Sequence, residues 1–140
     1  MAYALAVHTI PYAGVTELLA ELVARHVPLC VLSNKPDEAT QALVRHFFPR
    51  TPFVQVAGHK PDVPRKPDPT AALAMAAVLG VDPARCTFIG DSNIDMQTAT
   101  AAGMRGVGVS WGFRGRAELE AHGATAVIDE PAQLWTLLEP

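Results

Sequence analysis

The chain is 140 residues long, 49% hydrophobic but only 6% aromatic, and carries 14 acidic against 11 basic side chains. That length suits one domain around one core and leaves no room for a second. A net charge of −3 with no cluster of Lys or Arg speaks against a nucleic-acid surface, and the longest apolar run, Ala71 to Leu79, is about half of the roughly 20 residues a membrane span requires. Met1 to Val7 has neither a basic start nor a cleavage-like site, so a cytoplasmic protein is expected. Alanine fills 23 positions, which points to helices laid close on a sheet more than to a core of large side chains. Cys30 and Cys86 stand far apart in apolar stretches and are expected as buried free thiols; the five His residues make no metal-type pair.

Thr16 to His26 places Leu18, Leu19, Leu22 and Val23 on one helical face, and Pro28 to Leu32 is a short continuous apolar run that suits a strand covered on both faces. Asp37 to Phe47 reads as helix and Phe53 to Ala57 as strand. Pro61 to Pro69 is a stiff loop, after which Asp68-Pro69 supplies a cap and a first-turn proline for an Ala-rich helix ending at Leu79, before Gly80. Strand Thr87 to Ile89, helix Ile94 to Ala102, strand Gly106 to Val109, helix Ala117 to His122, strand Ala126 to Ile128 and helix Pro131 to Leu138 follow. The alternation predicts an α/β fold: a doubly wound, mostly parallel, Rossmann-like sheet with helices on both faces. Such sheets bind ligands at the carboxyl ends of their strands, and the chemistry-bearing residues fall there.

Ser33-Asn34-Lys35 follows the strand ending at Leu32. A hydroxyl, an amide and free backbone N–H groups at such a turn can hold a phosphate oxygen; taken alone, the same residues read more simply as a turn and a helix cap. Lys66 lies within Arg65-Lys66-Pro67-Asp68-Pro69, where two prolines restrict the backbone near a helix N-terminus. A lysine held this way can offset charge on an anion and on a neighbouring carboxylate, whereas a lone loop lysine is ordinarily solvated. Gly90-Asp91-Ser92-Asn93-Ile94-Asp95 follows the strand Thr87 to Ile89. Asp91 at the strand end and Asp95 in the first helical turn converge in a way that suits Mg²⁺. The plainer reading has Asp91 making a turn and Asp95 favouring the helix N-terminus electrostatically.

In this order the three motifs resemble the haloacid dehalogenase (HAD) superfamily of phosphohydrolases. Pro11-Tyr12-Ala13-Gly14-Val15, Leu32-Ser33-Asn34-Lys35-Pro36, Lys66-Pro67-Asp68-Pro69, Gly90-Asp91-Ser92 with Asp95 and Met96, Ala102-Gly103-Met104 and Trp111-Gly112-Phe113-Arg114 are similar to its phosphoglycolate phosphatase branch. The resemblance implies Mg²⁺-dependent hydrolysis of a phosphomonoester, a small phosphorylated metabolite, through an aspartyl-phosphate. It implies Ser33 and Lys66 as catalytic residues, with Ser33, Asn34 and Lys66 binding phosphate, Lys66 bridging nucleophile and phosphate, Asp91 ligating Mg²⁺ and Asp95 supporting the metal or its waters.

The family's attacking Asp and its acid–base partner form an Asp-x-Asp after the first core strand, and these 140 residues contain none. Met1 to His8 resembles the end of the last cap helix, with Ile10-Pro11 as hinge. Residues 1–12 are therefore expected as a cap remnant and 13–140 as the core, the C-terminal portion of such an enzyme, inactive in isolation. Its sheet is expected to lack the first core strand, in the middle, between the strands ending at Leu32 and Ile89. Those strands would pair directly, or accept a second polypeptide through self-association or a separate N-terminal segment, because unpaired backbone in an apolar setting is costly. The alternative is a non-catalytic phosphate-binding or interaction module. A receiver domain would need its acidic pair before its lysine, and a dinucleotide fold would need glycines opening a helix, whereas Gly103, Gly106 and Gly108 follow one. Trp111 to Arg114 reads either as an entrance rim, with Arg114 or Arg116 meeting a substrate anion, or as an aromatic plug with solvated arginines.

Overall fold

The computed structural model describes residues 2–5, 14–111 and 115–138, with residues 2–5 and 138 described by backbone alone. Among them, strands β1 (Ala2–Leu5), β2 (Leu29–Pro36), β3 (Gln55–His59), β4 (Cys86–Gly90), β5 (Arg105–Val109) and β6 (Ala126–Ile128) form one sheet in the order β3-β2-β1-β4-β5-β6. Every neighbouring pair is parallel. The helices are α1 (Val15–Ala24), α2 (Asp37–Phe47), α3 (Thr70–Leu79), α4 (Asn93–Ala102), α5 (Arg116–Ala121) and α6 (Leu134–Leu138), the last preceded by a 3-10 turn at Pro131–Gln133. Each predicted element from Thr16 onward is present, with ends shifted by a few residues. The largest extension is at β2, which runs past Leu32 to Pro36 as its residues pass from buried to exposed.

Two cores sandwich the sheet. On one face Leu18, Leu19 and Leu22 of α1 and Leu134 of α6 pack on Leu29, Ile89, Val107 and Ile128. On the other, Ala72, Met75 and Ala76 of α3 and Ala99 and Ala102 of α4 pack on Cys30, Leu32, Cys86 and Phe88. The alanines of α3 and α4 let those helices approach closely, as the composition implied. Gly80 and Gly103 end these two helices in the left-handed region, at φ 69° and 73°. Cys30 and Cys86 are buried free thiols, and burial raises the pKa of each.

The middle of the sheet differs from expectation. The strands ending near Leu32 and Ile89 neither pair directly nor leave a gap, because β1 lies between them. Tyr3, Ala4 and Leu5 are in register with Leu29, Cys30 and Val31 on one side, and Ala2 to Leu5 with Cys86 to Ile89 on the other. Ala2–Leu5 is thus strand at the centre of the core sheet, where a cap-helix end was expected; the rest of 1–12, including the Ile10-Pro11 hinge, lies outside the described residues. The physical reason is backbone satisfaction. β2 and β4 are buried along their apolar lengths, so their facing N–H and C=O groups require a partner. A four-residue strand, three of whose residues pair on both sides, supplies one despite the low strand preference of alanine.

Candidate functional site

The site is built at the carboxyl ends of β2 and β4. Leu5 of β1 is level with both Val31 and Ile89. Ser33 and Asp91, each two residues further on, therefore stand level with each other across one strand position, a backbone separation of about 10 Å. Both are buried, at 8% and 3% exposure.

Asp91 leads into the α4 N-terminus, where Ser92 is the N-cap. Its Oγ accepts from the Asp95 N–H at 3.3 Å and donates to Asp95 Oδ2 at 3.2 Å. The Asp91 N–H donates to the same Oδ2 at 3.1 Å. Asp95, 2% exposed, is folded back over the strand end. Gly90 makes room for this fold: a Cβ there would lie 2.3 Å from the Asp95 Cβ and 2.4 Å from its carboxyl carbon.

The other Asp95 oxygen receives Lys66. The ammonium donates to Oδ1 at 2.6 Å, and the two side chains are 8% and 3% exposed. Lys66 Nζ also lies 5.9 Å from the centroid of the Phe88 ring. The lysine is thus an inward-pointing, paired cation, contrary to the ordinary fate of a loop lysine. Its backbone is held by Asn34, whose Oδ1 accepts from the Lys66 N–H at 2.9 Å while its Nδ2 donates to the Lys66 carbonyl at 3.1 Å. Asn34 so uses its carbonyl and one of its two N–H groups within the protein. Ser33 Oγ accepts from the Lys35 N–H at 3.1 Å, the turn-making role, while its hydroxyl hydrogen remains able to donate.

Asp95, Lys66 and Asn34 are joined by hydrogen bonds, Asp91 is tied to Asp95 through its backbone, and Ser33 stands level with Asp91 at the end of β2. Three features went unread in the sequence: the Ser92 cap, whose Ser-x-x-Asp spacing was a usable sign, the steric need for Gly90, and the Asn34 bonds to Lys66. Arg116 is committed elsewhere. Its guanidinium meets Asp129 at 2.8 Å and Glu120 at 3.5 Å. The Ser110 hydroxyl and then Arg116 hold Asp129 below the usual carboxylate range. Residues 112–114, Arg114 among them, lie outside the described residues.

A family model for haloacid dehalogenase-like hydrolases matches residues 2–103. The chain belongs to that family. It is 37% identical over 123 residues to a phosphoglycolate phosphatase of Rhodospirillum rubrum, covering 88% of this chain and 51% of the relative. It is 32% identical over 133 residues to an N-acetylmuramic acid 6-phosphate phosphatase of Pseudomonas aeruginosa, covering 92% and 58%. A crystal structure from Lactobacillus delbrueckii subsp. bulgaricus, of a protein provisionally assigned as a phosphoglycolate phosphatase, superposes with a TM-score of 0.85 at 41% identity, over 91% of this chain and 53% of that one. The chain spans about half the length of the curated relatives it matches. No helix among the described residues is long and apolar enough to cross a membrane.

Proposed function

We propose that this chain carries the phosphate- and Mg²⁺-binding part of a phosphomonoester hydrolase that acts on a small phosphorylated metabolite in the cytoplasm. The observation behind the reading is the buried Lys66–Asp95 pair at the carboxyl end of β4, beside buried Asp91 and level with buried Ser33. Burying charge is costly unless it is paired, and here the pair sits where a parallel sheet presents its ligand.

In this scheme the Lys66 ammonium offsets the charge of a phosphate dianion, and the Ser33 hydroxyl donates to one phosphoryl oxygen. Asp91 and Asp95 are hard oxygen donors of the type Mg²⁺ takes, and Mg²⁺ needs only one or two carboxylates beside water and phosphate. Among the described residues no third His, Cys, Asp or Glu joins them into a larger ligand group. Asp95 engages Lys66, Ser92 and the Asp91 N–H; in this reading Asp91 would be the direct ligand, as the family resemblance implies, and Asp95 the residue that fixes the lysine and supports the metal's waters. Bound Mg²⁺ would neutralise charge on the phosphoryl oxygens. With no Asp-x-Asp in these 140 residues, no carboxylate of the expected kind is present to attack phosphorus, and we propose that the isolated chain binds without turnover.

Calorimetric titration of the chain with phosphoglycolate, with Mg²⁺ and then with EDTA, tests this. Weak Mg²⁺-dependent binding is expected, lost in Lys66→Met and Asp91→Asn, with no release of inorganic phosphate. Binding indifferent to Mg²⁺ and to both substitutions would overturn the site; phosphate release by the pure chain would overturn its inactivity. A module that binds phosphate without any chemistry is favoured by one feature, the absence of an acidic residue in β1. Hydrolysis gained on adding a polypeptide with an Asp-x-Asp strand would exclude that module.

A further inference from the structure

We propose that Asn34 is a positioning residue that aims the Lys66 ammonium, and that holding Lys66 is its main work in the site. Lys66 belongs to a loop that follows β3, 32 residues from Asn34 in sequence. The Asn34 amide makes a two-point contact with the backbone of this one residue, accepting from its N–H at 2.9 Å and donating to its carbonyl at 3.1 Å. An amide alone among short side chains offers a coplanar donor and acceptor at this reach: Asp lacks the donor, and Ser places one oxygen where two atoms are needed. The orientation of the amide is fixed by the pairing, since a reversed amide would set donor against donor and acceptor against acceptor.

The consequence reaches the ammonium. A lysine side chain loses substantial rotamer entropy when it is held in one conformation. Fixing its backbone at the end of β2 leaves only the stem to be ordered, and its ammonium reaches Asp95 Oδ1 at 2.6 Å and lies 5.9 Å from the centroid of the Phe88 ring. Asn34 thereby ties the end of β2 to the end of β4 through Lys66. The amide has one N–H group left over, so contact with a phosphate would be secondary to the clamp.

The proposal rests on Lys66 being the working cation of the site, but the clamp can be measured without any ligand. Two readouts serve: hydrogen exchange at the Lys66 amide, and the rate at which the Lys66 amine is acylated by a small activated ester. Lys35 and Lys60, both exposed, act as references in the same chain. In Asn34→Ala both the exchange and the acylation of Lys66, relative to the references, should rise on the order of tenfold, as loss of the two bonds releases the backbone. Asn34→Asp keeps the oxygen that accepts from the Lys66 N–H and should recover slow exchange there. That rescue separates positioning from general loosening, which would leave both variants fast.

Unchanged Lys66 exchange and acylation in Asn34→Ala would overturn the proposal, and with a fall in phosphoglycolate affinity would make Asn34 a direct ligand instead. Accelerated acylation in that variant, combined with phosphoglycolate binding that Lys66→Met does not alter, would uphold the clamp while sinking the phosphate-site reading.

Discussion

Replacing Lys66 with Met removes the ammonium from Asp95 while keeping most of the apolar stem. At the observed 2.6 Å, two unit charges in an effective dielectric of about 20 attract by about 6 kcal/mol, most of it offset by desolvation. Removing one partner of a buried pair costs roughly 3–5 kcal/mol because the other charge is stranded. Asp95 keeps its bonds from Ser92 Oγ and the Asp91 N–H, which places the expected loss at the lower end, about 3 kcal/mol. Urea unfolding at pH 7, followed by tryptophan fluorescence, should show the midpoint falling by about 2 M, given slopes typical of a domain this size. Closing the cycle with Asp95→Asn and the double variant should give a coupling of about 2 kcal/mol. It should change little with added salt, because a pair this buried is poorly screened. A Lys66→Met chain within about 0.5 kcal/mol of the parent, or a coupling near zero, would refute the claim that a buried ion pair organises this site.

Two further outcomes follow from the same geometry. Gly90→Ala should lower stability by about 2 kcal/mol or more and weaken phosphoglycolate binding in step, because the new methyl group would occupy the space of the Asp95 carboxyl; an alanine chain with parental unfolding midpoint and affinity would refute it. Asp37 is held below its ordinary pKa, first by the Gly58 N–H at 2.8 Å and then by Gln41 and Lys60. A depressed folded value means its contribution is complete above the unfolded pKa of about 3.9 and is lost as pH falls through the lower folded value. The stability gap between parent and Asp37→Asn should therefore shrink between about pH 5 and pH 3, and a gap that stays constant or widens on acidification would count against the Gly58 contact.

Much of the molecule is legible in one dimension because its signals are local. Leu18, Leu19 and Leu22 mark α1 by helical spacing, and they are buried on the sheet. The apolar runs before Ser33 and Gly90 mark β2 and β4 by continuity, since a strand covered on both faces has no polar side to show. Strand-end placement of Ser33 and Asp91, with Asp95 in the helical turn that follows, comes from those runs, and the resemblance to haloacid dehalogenase-like hydrolases rests on the same short motifs.

What only the tertiary structure decided depends on pairing between distant segments. Ala2–Leu5 is alanine-rich and short, and nothing local marks it as the central strand; it becomes one because β2 and β4 both need a backbone partner. Asn34 and Lys66 look, in sequence, like two independent phosphate contacts, and the fold makes one the holder of the other across 32 positions. Asp95, expected beside a metal, faces a lysine 29 residues away. The length that at first suited a single domain is also qualified, for the chain spans about half of the relatives it matches and yet forms a sheet with its middle position filled. Periodicity and caps are properties of neighbouring residues and can be read in order. The partner of a strand edge, an amide or a buried charge is set by whichever distant group removes the cost of leaving it unpaired.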